Sequence, residues 1–304
     1  MPGLSLIVPF QRDSDALEAT LLSILESRGS DLELIISHRG EYDDPYGLGG
    51  DEVSIVENGA NASMAEQLNR AARIATGNVI QVVLPGSVLE ADWAEAALDA
   101  FDETDVDLIA LGITPSEGGE PIYGFEESVL PQRKLSTIPS KTAFPVLGGT
   151  MIRRTVLLSL GGWNEQVPAD LIDLELGLLA KATGIEVGVV DEPGLTREEN
   201  LSVVLSNYEF GRAIGKLACA YSEAPNSGVV VEPLVKRLGH LACGLMNTKL
   251  AAERLGWVLG VQDRAWSKGI ATRIASARRS LVECRRQAPE HSGLIVGTEQ
   301  RRAA

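Results

Sequence analysis

The chain has 304 residues, 44% hydrophobic and 23% charged, with a formal net charge of −15. This ordinary globular mixture excludes a disordered or collagen-like chain, and the length allows a sizeable core in one large or two ordinary domains. The charge is uneven: residues 1–200 hold 12 Lys+Arg and 34 Asp+Glu (net −22), whereas residues 201–304 hold 15 and 8 (net +7). So acidic a body argues against a nucleic-acid partner. No window reaches about 18 uncharged apolar residues, the length a membrane span needs. The best stretch, Leu238 to Val261, is interrupted by His240, Lys249, Glu253 and Arg254. No basic stretch precedes the apolar run at Leu4, so a secretory leader is not expected and a cytoplasmic location is. Cys219, Cys243 and Cys284 are far apart and odd in number, and His38, His240 and His291 are scattered, so neither a disulfide framework nor a zinc site is expected.

In chain order, the apolar runs Leu4–Val8, Leu32–Ile36, Asp51–Val56, Val79–Leu84 and Asp107–Leu111 read as strands. Between them, helical spacing predicts helices over Asp15–Ser27, capped by Ser14 or Asp13, over Ser63–Ala75 and over Ala91–Phe101. Strands alternating with helices of this length predict an α/β fold with a mostly parallel sheet. Such sheets bind ligands at the carboxyl ends of their strands, so the informative residues should follow Val8, Ile36 and Leu84. Residues 114–147 read as loop-rich. Met151–Leu160 reads as a helix, Gly161-Gly162 as a turn, Asp170 or Asp173 as the start of a helix through Ala182, and Ile185–Val190 as a strand. Helices are expected over Leu201–Ala220, Pro233–Leu259 and Trp266–Arg286, followed by a disordered tail over residues 289–304. The organisation expected is an α/β domain over 1–200 and a helical extension over 201–288.

The order of pieces over residues 3–195 resembles family-2 glycosyltransferases. Leu4-Ser-Leu-Ile-Val-Pro-Phe-Gln-Arg12 resembles the family's opening strand and loop, and Glu33-Leu-Ile-Ile-Ser-His-Arg-Gly40 its second strand. Asn69-Arg-Ala-Ala-Arg-Ile-Ala-Thr-Gly77, Val83 to Trp93, Gly148-Gly-Thr-Met-Ile-Arg-Arg154 and Leu160-Gly-Gly-Trp-Asn-Glu165 follow in the family's order. Asp173-Leu-Glu-Leu-Gly-Leu178 lies where the family carries a Glu-Asp pair. The resemblance implies a GT-A-like fold of the nucleotide-diphospho-sugar transferase type, with a C-terminal α-helical extension. It implies transfer of a sugar from a nucleotide sugar to a hydroxyl of a glycan or lipid-linked acceptor, with Asp173 as the base. The nucleotide and sugar would meet Pro9, Phe10, Gln11, Arg12, His38, Arg39, Asn69, Pro85, Gly86, Ser87, Gly148 and Gly149.

The sequence departs from the family where charge matters most. The leaving diphosphate develops negative charge, which the family meets with Mn2+ or Mg2+ held by an Asp-x-Asp motif. Here that position reads Leu84-Pro85-Gly86-Ser87, without a carboxylate, so no metal ligand is assigned. The family's aspartates after the second strand are His38 and Arg39, the Arg of its Ala-Arg-Asn stretch is Leu68, and the Glu of its Glu-Asp pair is Ile172. Two readings stand. In one, His38, Arg39 or Arg12 replaces the metal; in the other, the chain is a catalytically degraded binding or assembly module. Plain structural roles also stand beside the functional ones: a solvated charge for Arg39, a helix N-cap for Asp173, a tight turn for Gly148-Gly149 and a local hydrogen-bonder within its helix for Asn69. The basic stretch with Arg273, Arg278, Arg279, Arg285 and Arg286 suits either peripheral contact with an anionic membrane or pairing with the acidic body.

Overall fold

The computed structural model describes residues 3–10, 14–26, 32–45, 47–50, 53–104, 106–126, 134–197, 207–225, 227–244 and 247–287. Gln11, Arg12, Asp13, Leu201–Ser206 and the 289–304 tail therefore lie outside the described residues. The chain begins with β1 (Leu4–Pro9), α1 (Ser14–Glu26), β2 (Leu32–His38), β3 (Val53–Glu57), α2 (Met64–Ile74) and β4 (Val79–Val82). It continues through β5 (Ser87–Leu89), α3 (Trp93–Glu103), β6 (Leu108–Pro115), β7 (Gly124–Glu126), β8 (Leu135–Ser136), β9 (Thr142–Pro145) and β10 (Thr150–Arg153). The remainder is α4 (Arg154–Leu160), α5 (Ile172–Thr183), β11 (Val187–Arg197), α6 (Tyr208–Ser222), α7 (Leu234–Gly244), α8 (Thr248–Gly260) and α9 (Ser267–Gln287).

Eight strands form the central sheet in the order β3-β2-β1-β4-β10-β6-β11-β5. β1–β2, β1–β4, β2–β3 and β6–β11 pair in parallel. β10 runs antiparallel between β4 and β6, and β5 is an antiparallel edge on β11. Continuous apolar runs suit β1 and β4, whose residues are buried along their whole length. α2 starts at a capping box: Ser63 accepts from the Glu66 N–H, and the Glu66 carboxylate accepts from the Ser63 N–H.

Several boundaries differ from expectation. Met151–Leu160 is not one helix, because Thr150–Arg153 pairs with β4 and β6 before the helix begins at Arg154. The loop-rich 114–147 stretch holds a second, three-stranded sheet in the order β8-β7-β9. Neither Asp170 nor Asp173 caps α5; a single 3-10 turn at Ala169–Leu171 leads into it, and Leu171 occupies the cap. Pro233–Leu259 is two helices, α7 and α8, with Asn247 capping the second.

Buried side chains of α6, α8 and α9 belong to the same apolar cluster as the central strands. α6 and α8 pack through glycines four residues apart in each helix. A Cβ on Gly211 would lie 1.9 Å from the Glu253 carbonyl oxygen, on Gly256 2.1 Å from that of Tyr208, and on Gly260 2.2 Å from that of Arg212. Tyr208 meets Gly256 and Arg212 meets Gly260, so the helices run in the same direction. No rotamer relieves a clash with backbone. Gly256→Ala is therefore expected to destabilise by about 1–3 kcal/mol, the usual range for overpacking. A lowered urea midpoint checks this; an unchanged midpoint would show that the helices part without cost.

Candidate functional site

β10 is antiparallel to both β4 and β6, so β1, β2, β4, β6 and β11 all end at one edge of the sheet. At that edge, Pro9 and Phe10 close β1. Pro9 is in register with Ser37, and the Phe10 N–H donates to the Ser37 carbonyl at 2.8 Å. The Phe10 and His38 rings both meet Tyr42 edge-on, with centroids 5.8 and 5.9 Å apart.

His38 is buried at the end of β2, and its Nδ1 accepts from the backbone N–H groups of Gly40 (3.1 Å) and Tyr42 (3.4 Å). The ring thus shapes the 38–42 turn. Arg39 is half-buried and lies 3.8 Å from Glu41, the outer limit of an ion pair. Asn58 braces this strand end: its Nδ2 donates to Ser37 Oγ (2.9 Å) and to the His38 carbonyl (3.0 Å).

The Leu84–Ser87 turn is fastened to α1. The Gly86 N–H, at φ +86°, reaches the Ala16 carbonyl (3.0 Å) and Thr20 Oγ1 (2.9 Å), and the Ser87 N–H closes the turn on Leu84 (3.1 Å). Positive φ makes glycine the fitting residue at 86. Ser87 is buried and Pro85 half-buried. The Gly148-Gly149 pair forms a buried 3-10 turn against this one: a Cβ on Gly148 would lie 3.6 Å from Leu84 Cδ1, and on Gly149 2.6 Å from the Leu111 carbonyl oxygen. Carboxylate oxygens are what a hard divalent cation takes. The Leu84–Ser87 turn offers none, and among the described residues no group of three or more His, Cys, Asp or Glu is placed to hold a metal ion. The residues present do not fit the family's cation.

Asp173 sits in the first turn of α5. It is half-exposed, while every other residue from Ile172 to Ala180 is buried, and its Oδ1 accepts from the Leu174 N–H at 2.7 Å. Phe144 of β9 crosses α5 at Gly177, where a Cβ would lie 2.6 Å from the ring. The chain then runs on into the 147–149 turn, where Gly148 meets Leu84; α5 ends three residues before β11 begins, so Asp173 lies at the end of α5 away from the start of β11. Two of the family's polar positions have become core: Leu68 and Ile172 are fully buried.

Asn69 is not a local hydrogen-bonder within its helix. It clamps a turn 94 residues away: its Nδ2 donates to the Trp163 carbonyl (2.8 Å), and its Oδ1 accepts from the Trp163 N–H (2.7 Å). A second clamp on that turn was not legible. Glu175, fully buried two residues beyond Asp173, accepts at Oε1 from Tyr221 OH (2.8 Å), Asn164 Nδ2 (3.2 Å) and Arg273 Nε (3.2 Å). Arg273 also donates to the Gly161 and Gly162 carbonyls. Burial, then the Glu175 charge, holds the Tyr221 hydroxyl well above the ordinary phenol range, so it stays a donor. The available signal was a lone carboxylate inside the apolar run Leu174–Ala180.

The basic face of α9 largely meets the body. Arg273 reaches Glu175, Arg278 the Ala182 and Pro225 carbonyls, and Arg285 Asp107 at 3.4 Å; Arg279 and Arg286 are exposed. A cavity of about 490 Å³ opens between the 165–170 loop and α6, lined by Glu165, Asp170, Arg212, Lys216 and Trp266. Asp263 joins Arg212 and Lys216 at 3.2 Å each, and Lys216 lies over the Trp266 ring. Hydrogen bonds from the Ala265 N–H, then from Lys216, hold the Asp263 carboxyl below its usual range. No helix among the described residues is long and apolar enough to cross a membrane.

Comparison with known proteins bears on the fold and the family. The structure resembles TarS residues 1–349 of S. aureus at 15% identity and a TM-score of 0.59, covering 94% of this chain and 89% of that one. TarS in complex with UDP-GlcNAc matches at 16% identity and 0.58, covering 94% and 90%. The mannosyltransferase PcManGT from Pyrobaculum calidifontis, in complex with GDP-Man and Mn2+, matches at 16% and 0.50, covering 93% and 88%. At these identities the likeness shows the fold, GT-A, including the C-terminal helices. No curated protein sequence matches the chain. The family model for glycosyl transferase family 2 matches residues 5–161, through the Leu84 turn and the Gly148-Gly149 turn and up to the clamped loop, and the chain belongs to that family.

Proposed function

We propose that the chain transfers a sugar from a nucleotide sugar to a hydroxyl of a glycan or lipid-linked acceptor, with inversion. The donor would lie at the carboxyl edge between Phe10, the 38–39 turn, Leu84–Ser87 and Gly148-Gly149. Fold relatives that carry GDP-Man and UDP-GlcNAc support a donor of this class. The observation that carries the reading is Asp173, the half-exposed carboxylate in the first turn of an otherwise buried helix, at the end of α5 away from the start of β11. In the reaction, the acceptor oxygen forms a bond to the anomeric carbon as the bond from that carbon to the phosphate oxygen breaks. The acceptor proton passes to Asp173, and the nucleoside diphosphate leaves with the bonding electrons. The cavity with Trp266 and Asp170 is the proposed acceptor side. A nucleotide-sugar donor suits a cytoplasmic location, with exposed Arg279 and Arg286 as the groups left to meet an anionic membrane surface.

Calorimetry with UDP and GDP, each with Mn2+ and with EDTA, tests the reading. Binding of either under either condition is expected. Failure of folded protein to bind under all four would favour the degraded binding or assembly module, the reading that the carboxylate-free turn supports.

A further inference from the structure

The family's divalent cation has no ligands at Leu84–Ser87, so the charge on a leaving diphosphate must be met otherwise. Of the cations named from sequence, Arg12 lies outside the described residues and the other two are poorly disposed. His38 points its Nδ1 lone pair at two backbone N–H groups, and Arg39 lies near the Glu41 carboxylate. A different cation stands at the turn. Arg197 is the last residue of β11 and pairs with Ser87 of β5 in the antiparallel register Leu195–Leu89, Thr196–Val88, Arg197–Ser87. Directly opposed residues of an antiparallel pair share a face of the sheet. Arg197 is therefore on the face of Ser87, Leu89 and Leu195, all buried, while Val88 on the other face is exposed. In the parallel direction Arg197 pairs with Pro115, the last residue of β6, which puts it at the carboxyl edge. It is itself 9% exposed, on the core side of the sheet at its ligand-binding rim.

We infer that Arg197 supplies, in place of a divalent cation, the positive charge that holds the donor's diphosphate at the Leu84–Ser87 turn. This rests on the donor site proposed above. A guanidinium is permanently charged, pairs with phosphate through two parallel N–H bonds, and acts more strongly where water is scarce. Its five N–H donors let Arg197 keep contacts within the fold and still meet phosphate oxygens. The strand pair fixes the backbone at 197 to the turn, so the charge is placed before the ligand arrives.

The test is calorimetry of the full chain with UDP and GDP. Wild type is expected to bind with the same affinity in EDTA as in Mn2+, and Arg197→Gln to bind about 10- to 100-fold more weakly, as loss of a charge-assisted contact predicts. Arg197→Lys, which keeps the charge but not the fork, is expected to recover part of the loss. A strict requirement for Mn2+ in wild type overturns the inference even if Arg197→Gln does not fold. Unchanged affinity in folded Arg197→Gln overturns it too, as does loss in Arg39→Gln with normal binding in Arg197→Gln. These outcomes leave the donor site standing. Absence of binding by wild type under every condition removes the donor site and this assignment together.

Discussion

Asp173→Asn is expected to lower donor turnover by about 10²- to 10⁴-fold, the usual contribution of a positioned base. Turnover here means sugar transfer, or hydrolysis of the UDP- or GDP-sugar that the protein binds when no acceptor is added. The amide keeps the size of the carboxylate and the oxygen that accepts from the Leu174 N–H at 2.7 Å, so the first turn of α5 should hold. What it loses is the capacity to take a proton. A base acts in the transition state, so kcat should fall while affinity for UDP or GDP is unchanged. Retained turnover would remove Asp173 from the reaction. Equal loss of turnover and of thermal stability would assign it to the fold instead. No other residue of Ile172–Ala180 reaches the surface to substitute, since all are buried.

Arg273→Ala is expected to destabilise the protein by about 3–5 kcal/mol, the cost of leaving a buried charge without its partner. Glu175 is fully buried, and its remaining partners, Tyr221 and Asn164, are neutral donors that only partly offset an isolated carboxylate. Removing both charges, as in Glu175→Gln with Arg273→Met, should recover much of the loss. The pair's interaction would appear as strong non-additivity in a double-mutant cycle. Urea unfolding of wild type, Glu175→Gln, Arg273→Met and the double variant measures it. Additive losses would show that the two side chains act independently.

The central sheet was legible because β1, β2, β4 and β6 are near-continuous apolar runs set between helices of ordinary length. β10 was not, because Met151, Ile152, Val156, Leu157 and Leu160 also suit a helical face, and no turn residue separates the strand from α4. β5 escaped because three residues carry too little pattern. Among the expected site residues, Pro9, Phe10 and Leu84–Ser87 follow strands of the central sheet, as the rule for such sheets predicts, whereas Gly148-Gly149 lies between β9 of the small sheet and β10. Contacts made across the chain were not legible. Arg197 reaches the turn through pairing with Ser87, and Glu175 meets Arg273 across 98 residues; no window holds either pair. Asn69 was placed in the site by resemblance, whereas its hydrogen bonds place it under the 161–165 turn as that turn's anchor. The glycines of α6 and α8 were visible at i, i+4, but nothing in one helix says which other helix will approach it.

The separation of Glu175 from Arg273 also bears on synthesis. Chains emerge from the ribosome at about 5–20 residues per second. A partner 98 residues downstream thus arrives roughly 5–20 s later. Until then α5 carries a carboxylate offset only by the neutral donors Asn164 and, later, Tyr221. The Gly161–Gly162 turn likewise lacks the arginine that takes up its carbonyls. The family-2 body therefore cannot finish packing as its own residues emerge. The charge on its buried Glu175 is neutralised by α9, so the packing of α5 is timed by the arrival of that helix.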